Sequence, residues 1–589
     1  MALRSRQSQQ WRNDDTGFGV SSTFGGVIPS PTLDRIAANG LRDTNFNSVA
    51  LCSPTRAAII TGRNEVLKSS PSGKMASVRR RSEEGGMNKL WTFLLGALIV
   101  VTIIGPPAVA QQSQKPNVVF ILADNVGYGD LGSYGGGELR GAPTPRLDQL
   151  AREGMRLTQF LVEPACTPSR AALMTGQYSI RNGLSLIAIE GSPYTLPAGA
   201  FTMGQLFKAA GYATAIFGKW HLGGEPQSLP TAHGFDEFYG IPPDISWDAA
   251  TYVGTMELTH SVTAPPGALL ARGPQIVEAT AGGPLRTVKP FTPEVRANID
   301  NELVDKSIDF MRRQKTAAKP FFLYLPFSMG HAPNLPSAQF KGKSRIGNYG
   351  DKIMEGDYHV GQILDTLKEL GIDDNTIVVF ASDNGPYGQT AREFGNDGTP
   401  DMGNSGPFRG ELGEVTEGAI RTAAIIRWPG QVKPDTTSYA MFSIMDFMPT
   451  FAHIVGGAMP TDRPIDGVDQ TDVLLGNSAL GHRESLLSFI GGDLVAARWK
   501  QWRIYFTDIH PTGSGPQREP GIFSANVPMA GYPKVYNIEM DPHEDLVVGG
   551  LFGWVSEPAL KTVEEYLASL KKYPNPPAPN ITQFHGGGG

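Results

Sequence analysis

Cysteine is almost absent from this chain: two in 589 residues, Cys52 and Cys166. A scaffold stapled by several disulfides is therefore excluded. Charge is sparse as well. Asp, Glu, Lys and Arg make up 18% of the chain and leave a formal charge of −6, which argues against nucleic acid as a main partner. No apolar run reaches the ~20 residues of a membrane-spanning helix; Leu90 to Ile104 falls short. The 70 glycines and 46 prolines imply many loops around a regular core, without low-complexity tracts. Length and a hydrophobic share of 40% allow one large domain plus a smaller one.

The short apolar run fits a leader. Met87-Asn88-Lys89 gives it a basic start and Ala108-Val109-Ala110 a small-x-small end. Residues 87–110 are therefore expected to be a signal peptide, with Gln111 the first mature residue. The protein is expected to be exported, to a bacterial periplasm or outside the cell. Cys166 would then be the one cysteine of the mature chain, an odd free thiol in that compartment.

Cys166 opens the stretch Cys166-Thr167-Pro168-Ser169-Arg170-Ala171-Ala172-Leu173-Met174-Thr175-Gly176. Thr167 can cap a helix and Pro168 suits its first position. Ala171 to Met174 propagate it. Cys166 is thus expected at a helix N-terminus, where backbone N–H groups favour an anion. A bare Cys-x-Pro would read as a buried cysteine before an ordinary helix. The full stretch, however, resembles the signature of the type I sulfatases, C-x-P-S-R-x-x-x-x-T-G, within the alkaline phosphatase-like superfamily. That resemblance implies that a formylglycine-generating or sulfatase-maturating enzyme converts Cys166 to Cα-formylglycine, whose hydrate attacks sulfur. Arg170, one turn on, is expected to fork onto sulfate oxygens.

The opening of the chain repeats this order in miniature. Asn13 to Gly19 resembles a sulfatase metal loop, Thr32 to Ala37 the helix after it, and Cys52-Ser53-Pro54-Thr55-Arg56 begins a second signature. Residues 1–64 are expected to be a truncated sulfatase-like fragment, a remnant or the product of a misplaced start, followed by a linker over 65–86. Such a piece lacks most of a sheet and could not bury a core.

Along the rest, apolar β-branched runs alternate with helical patterns, and polar motifs stand at the strand ends. Asn117 to Leu122, Ala213 to Phe217, Pro320 to Leu325 and Thr376 to Ser382 read as buried strands. Residues 146–154, 202–210, 296–314 and 351–370 read as helices. The fold class is α/β, with a large central, mostly parallel sheet flanked by helices over 115–480. A smaller antiparallel subdomain and a terminal helix are expected over 481–575, then a flexible tail over 576–589. Residues 253–292 read as an inserted loop near the substrate.

Two acidic loops, Asp124-Asn125 and Asp383-Asn384, each follow an apolar strand. Each alone would read as a turn. Their oxygens suit Ca²⁺ or Mg²⁺, and the resemblance makes these four residues, with the modified Cys166, the metal ligands. Asn125 departs from the family's usual Asp. Gly218-Lys219-Trp220-His221-Leu222-Gly223 and His331-Ala332-Pro333 match two further family runs. They imply that Lys219 neutralises sulfate, His221 moves a proton and His331 protonates the leaving oxygen. Leu412 stands where the family places a sulfate-binding Lys, so the missing contact is expected from Arg409 or Arg392. The expected activity is hydrolysis of sulfate esters, on a small molecule or a glycan. The alternatives are a phosphonate monoester or phosphodiester hydrolase, and an inactive sulfate or glycan binder.

Overall fold

Strand β1, Asn117–Ala123, reads Asn-Val-Val-Phe-Ile-Leu-Ala and is buried throughout. In the computed structural model its side chains alternate between two cores. Val118, Phe120 and Leu122 enter one, and Val119, Ile121 and Ala123 the other. A strand buried on both faces must be apolar at every position, which is why the run lacks polar alternation. The structure describes residues 29–38, 115–188, 194–242, 274–387, 402–510, 525–529 and 531–577. The second signature around Cys52, the linker, the leader, Arg392 and the last twelve residues of the tail lie outside them. Of residues 1–114, the one described element is the helix Pro31–Ala38, over the segment expected to be helical. Among the described residues no helix is long and apolar enough to cross a membrane.

The main sheet has eleven strands. With β1 they are β2 Met155–Leu161, β3 Ala213–Lys219, β4 Glu237–Ile241, β5 Gln275–Thr280, β6 Arg286–Pro290, β7 Phe321–Pro326, β8 Thr376–Ser382, β9 Arg421–Arg427, β10 Thr436–Ser438 and β11 Phe442–Ser443. The spatial order is β10-β2-β9-β8-β1-β7-β3-β4-β5-β6, with β11 also on β2. β1 runs parallel to β7 and β8, with Leu122 opposite Pro326 and Ala123 opposite Ser382. β3 runs parallel to β7. The C-terminal ends of these four strands therefore share one edge, where wound sheets bind ligands.

Helices cover both faces. Cys166–Thr175, Met203–Ala209 and Phe447–Val455 contribute to the first core. Pro145–Glu153, Pro293–Thr316 and Gly347–Glu369 contribute to the second. Their starts follow local chemistry. Thr202 and Gln205 form a reciprocal capping box, and Thr292 accepts from Val295 N before a first-turn Pro293.

Part of the expected inserted loop is regular. Over 274–290 the chain forms the antiparallel pair β5–β6, which extends the sheet at the β4 edge. Arg286–Pro290 is mostly exposed, so its residues carry no apolar pattern that would announce a strand. After 481 the expected antiparallel subdomain contains a four-stranded sheet of Ser485–Ile490, Asp493–Trp499, Trp502–Tyr505 and Lys534–Asn537. Leu487, Ala497, Ile504 and Val535 pack into the first core, so the small sheet and the large one share a hydrophobic interior.

Between β2 and the Cys166 helix, Glu163 is buried, and burial pushes its carboxyl up to about 8. The folded chain therefore keeps this proton at a pH where the unfolded chain has lost it, and stability drains as pH rises between the two values. The stability advantage of Glu163→Gln over wild type is expected to widen from about pH 5 to 8, read as the difference in melting temperature. A difference that stays flat would contradict the assignment.

Candidate active site

Backbone hydrogen bonds gather the loops at the shared strand edge. Asp124 N donates to Met329 O at 3.0 Å and Asp383 N to Ala123 O at 3.1 Å. Asn125 N donates to Asp383 Oδ1 at 3.2 Å. Asn125 takes a left-handed φ of 58°, a conformation asparagine tolerates better than most side chains. The two acidic loops, 258 residues apart, thus form one site.

Cys166 is the first residue of its helix, and the preceding Ala165 gives no side-chain cap. The expected Thr167 cap is a correction. Thr167 lies inside the first turn, and its Oγ1 accepts from Ala188 N at 3.0 Å. Pro168 is tolerated there because first-turn N–H groups have no intrahelical acceptor. Gly176 ends the helix at φ 65°. The Cys166 Sγ lies 3.3 Å from Asp124 Oδ1 and 3.7 Å from Asn125 Oδ1. A ring nitrogen of His331, a carboxylate oxygen of Asp124 and this sulfur all lie within 4.8 Å of one another.

Arg170 is engaged by the two acidic loops. Its Nε and one terminal nitrogen reach Asp383 Oδ2 at 3.1 and 2.8 Å. That nitrogen also reaches Asp124 Oδ2 at 3.0 Å, and the other donates to Lys219 O at 2.9 Å. The guanidinium therefore clamps the two aspartates. The Lys219 Nζ adds a 2.8 Å contact to Asp124 Oδ2. Burial would raise Asp124, but Lys219, His331 and Arg170 outweigh it and hold the carboxyl well below the usual range. Burial and the Asp124 charge push Asp383 up, to about 6.

Asn384 Nδ2 donates to Asn125 Oδ1 at 2.6 Å and to Gly385 O at 2.8 Å. Its Oδ1 is buried with no hydrogen-bond donor. Such an orphaned acceptor beside two carboxylates and a second amide oxygen suits a hard divalent cation.

A sulfatase family model matches residues 116–457. The chain belongs to the sulfatase family. Rat steryl-sulfatase is 33% identical, over 77% of this chain and 88% of that protein. Dog N-acetylgalactosamine-6-sulfatase is 35% identical, over 69% and 75% respectively. The PsFucS1 sulfatase from Pseudoalteromonas sp. superposes with a TM-score of 0.72 at 33% identity, covering 80% of this chain and 93% of its own. This sulfatase is a sulfate-ester hydrolase.

Two histidines of the sulfatase have their tautomers assigned by carbonyl contacts. His221 Nε2 lies 2.8 Å from Ala188 O, so Nε2 carries the proton and Nδ1 is the basic nitrogen. His331 Nδ1 lies 2.6 Å from Ala332 O, which leaves Nε2 basic. Arg409, expected as one source of the missing contact, hydrogen-bonds Tyr536. Burial opposes its charge, but Glu544, Tyr505, Tyr536 and Glu414 outweigh burial and raise its pKa. Leu412 is buried; its N donates to Pro386 O, and the next residue, Gly413, donates to Pro164 O. The backbone of this loop thus touches both the Asp383 and the Cys166 segments.

Helix Pro293–Thr316 carries two residues that the sequence pattern did not single out. Arg296 and Asp300 are buried behind the His331 loop. Charged residues one turn apart, on the face that also carries the buried Ile299 and Leu303, were the available signal.

Proposed function

We propose that this sulfatase cleaves sulfate monoesters at Cys166 after its conversion to Cα-formylglycine. The carrying observation is the placement of Cys166: buried, at a helix N-terminus, and beside Asp124 Oδ1 and a His331 ring nitrogen. Once formed, the hydrated aldehyde supplies a hydroxyl nucleophile and a second hydroxyl for its own regeneration. Asp124, Asn125, Asp383 and Asn384, with the modified residue, would hold Ca²⁺ or Mg²⁺, which supplies Lewis-acid charge. Asn125 gives an oxygen without a charge, so two aspartates carry all the negative charge among these four side chains.

Lys219 holds Asp124 ionised and brings an ammonium to the site, where it neutralises developing charge on sulfate oxygens. His331, with Nδ1 bound to its own loop, acts in its imidazolium form, favoured beside the ionised Asp124, and delivers the second proton, on Nε2, to the leaving alcohol or phenol. His221, with Nε2 bound to Ala188 O, takes up a proton at Nδ1 when sulfate departs. Arg170 acts by holding the two aspartates in register. Overall an ester and water become an alcohol and hydrogen sulfate. The signal-peptide pattern over 87–110 supports export of the enzyme, and the signature at Cys166 supports its modification by a maturating enzyme.

The absent lysine at Leu412 makes discrimination between sulfate and phosphate the decisive test. Fully modified enzyme is expected to hydrolyse an aryl sulfate in preference to an aryl phosphodiester, compared by kcat/KM. Negligible sulfate turnover alongside phosphodiester cleavage would reverse the assignment. Binding of sulfate without turnover would reduce the protein to a binder.

A further inference from the structure

His331 sits on the loop Ser328-Met329-Gly330-His331-Ala332-Pro333, and one helix grips that loop at both ends. At the far end Arg296 Nε donates to Pro333 O at 3.0 Å. A terminal nitrogen of the same guanidinium donates to His331 O at 3.2 Å. At the near end Asp300 accepts from Ser328 N at 3.0 Å and from Ser328 Oγ at 2.7 Å. Arg296 and Asp300 are one turn apart on helix Pro293–Thr316, and they are 2% and 1% exposed. Residues at that spacing lie on the same helix face, so both ends of the loop answer to one rigid element.

The grip has its own support. Lys352, on helix Gly347–Glu369, reaches Asp300 Oδ2 at 2.8 Å and Glu355 at 3.0 Å. Burial would raise Asp300, but Lys352 and His359 outweigh it and keep the carboxyl ionised. A small cavity lined by Lys219, Asp300 and Ser328 lies against this network. Apolar residues would bind the helix to the sheet without desolvating charges, so a buried Arg and Asp make poor sense as packing alone. Their charge-assisted hydrogen bonds end on the main chain of one loop, and such bonds fix geometry.

We propose that Arg296 and Asp300 are positioning residues that set His331 at the distance and angle proton delivery to the leaving oxygen requires. This rests on His331 as the acid in the reaction proposed above. A misplaced acid matters in proportion to how much the leaving group needs a proton, because a stable phenolate departs without one. That dependence separates positioning from a general loss of structure, which would slow every substrate alike.

The test compares 4-nitrophenyl sulfate, with a good leaving group, and phenyl sulfate, with a poor one. Arg296→Gln is expected to hold kcat/KM for the nitrophenyl ester within about three-fold. For the phenyl ester it is expected to lower it on the order of 10²-fold, the usual reach of general acid catalysis. Arg296→Lys, which keeps the charge but not the fork, should fall between. Asp300→Asn gives the same readout if Arg296→Gln does not fold. Equal losses on both esters overturn the proposal. His331→Ala, measured alongside, keeps the two readings apart. If it shows no leaving-group selectivity, His331 is not the acid. If it does and the Arg296 and Asp300 variants do not, the positioning role alone fails.

Discussion

Cys166→Ala is expected to abolish sulfate-ester turnover, with a loss of roughly 10⁴–10⁶-fold, the scale seen when a nucleophile is deleted. No other described side chain stands ready to substitute. Asp124 is engaged by Lys219 and Arg170, and Asp383 by Arg170. The thiol itself is a poor explanation of the chemistry, because an ordinary cysteine is largely protonated at neutral pH. An aldehyde at this position removes that objection. The peptide containing residue 166 is therefore expected to weigh about 18 Da less than its cysteine form in active enzyme, the change that accompanies conversion of CH₂SH to CHO at an activated nucleophile. The alanine variant should keep its fold and bind cation more weakly, because one donor is lost while four remain. Full activity with an unmodified thiol would overturn this mechanism.

Much of this arrangement is legible in the chain. β1, β7, β8 and most of β3 stand out because a parallel strand covered on both faces must be apolar throughout. Asp124 and Asp383 stand out because each follows such a strand, and ligands gather at that end. β2 and β9 are harder to read. Arg421 and Arg427 flank β9 and look like surface residues. Arg421 is buried through Thr158 O, and Arg427 reaches Asp373 across 54 residues. The role of Thr167 is misread for a similar reason: its hydroxyl has a partner at Ala188 that local pattern cannot supply. The orientation of Arg170 is the largest such gap. Its spacing along the helix is plain, but the carboxylates that turn it inward lie 46 and 213 residues away.

Arg170 also carries the second large effect. It is fully buried between Asp124 and Asp383, so Arg170→Leu leaves two buried carboxylates with Lys219 as their nearest remaining cation. Removing one member of a buried charge cluster costs on the order of 3–5 kcal/mol, and denaturant unfolding in EDTA should show a loss of that size. Saturating Ca²⁺ should return part of it, because the ion would bring positive charge to the same two carboxylates, though it would not orient Asp383 as the guanidinium does. The pH dependence follows from sign. Burial and Asp124 already push Asp383 up to about 6, above its value in an unfolded chain. Metal-free protein therefore takes up this proton on folding, and its stability rises as pH falls through that window. Without Arg170 the upward shift grows, so the metal-free variant should regain more of its deficit on acidification than wild type gains. If the variant matches wild type in EDTA at neutral pH, the guanidinium is not the element that holds the two acidic loops together, and the geometry around Cys166 must be maintained by the backbone bonds alone.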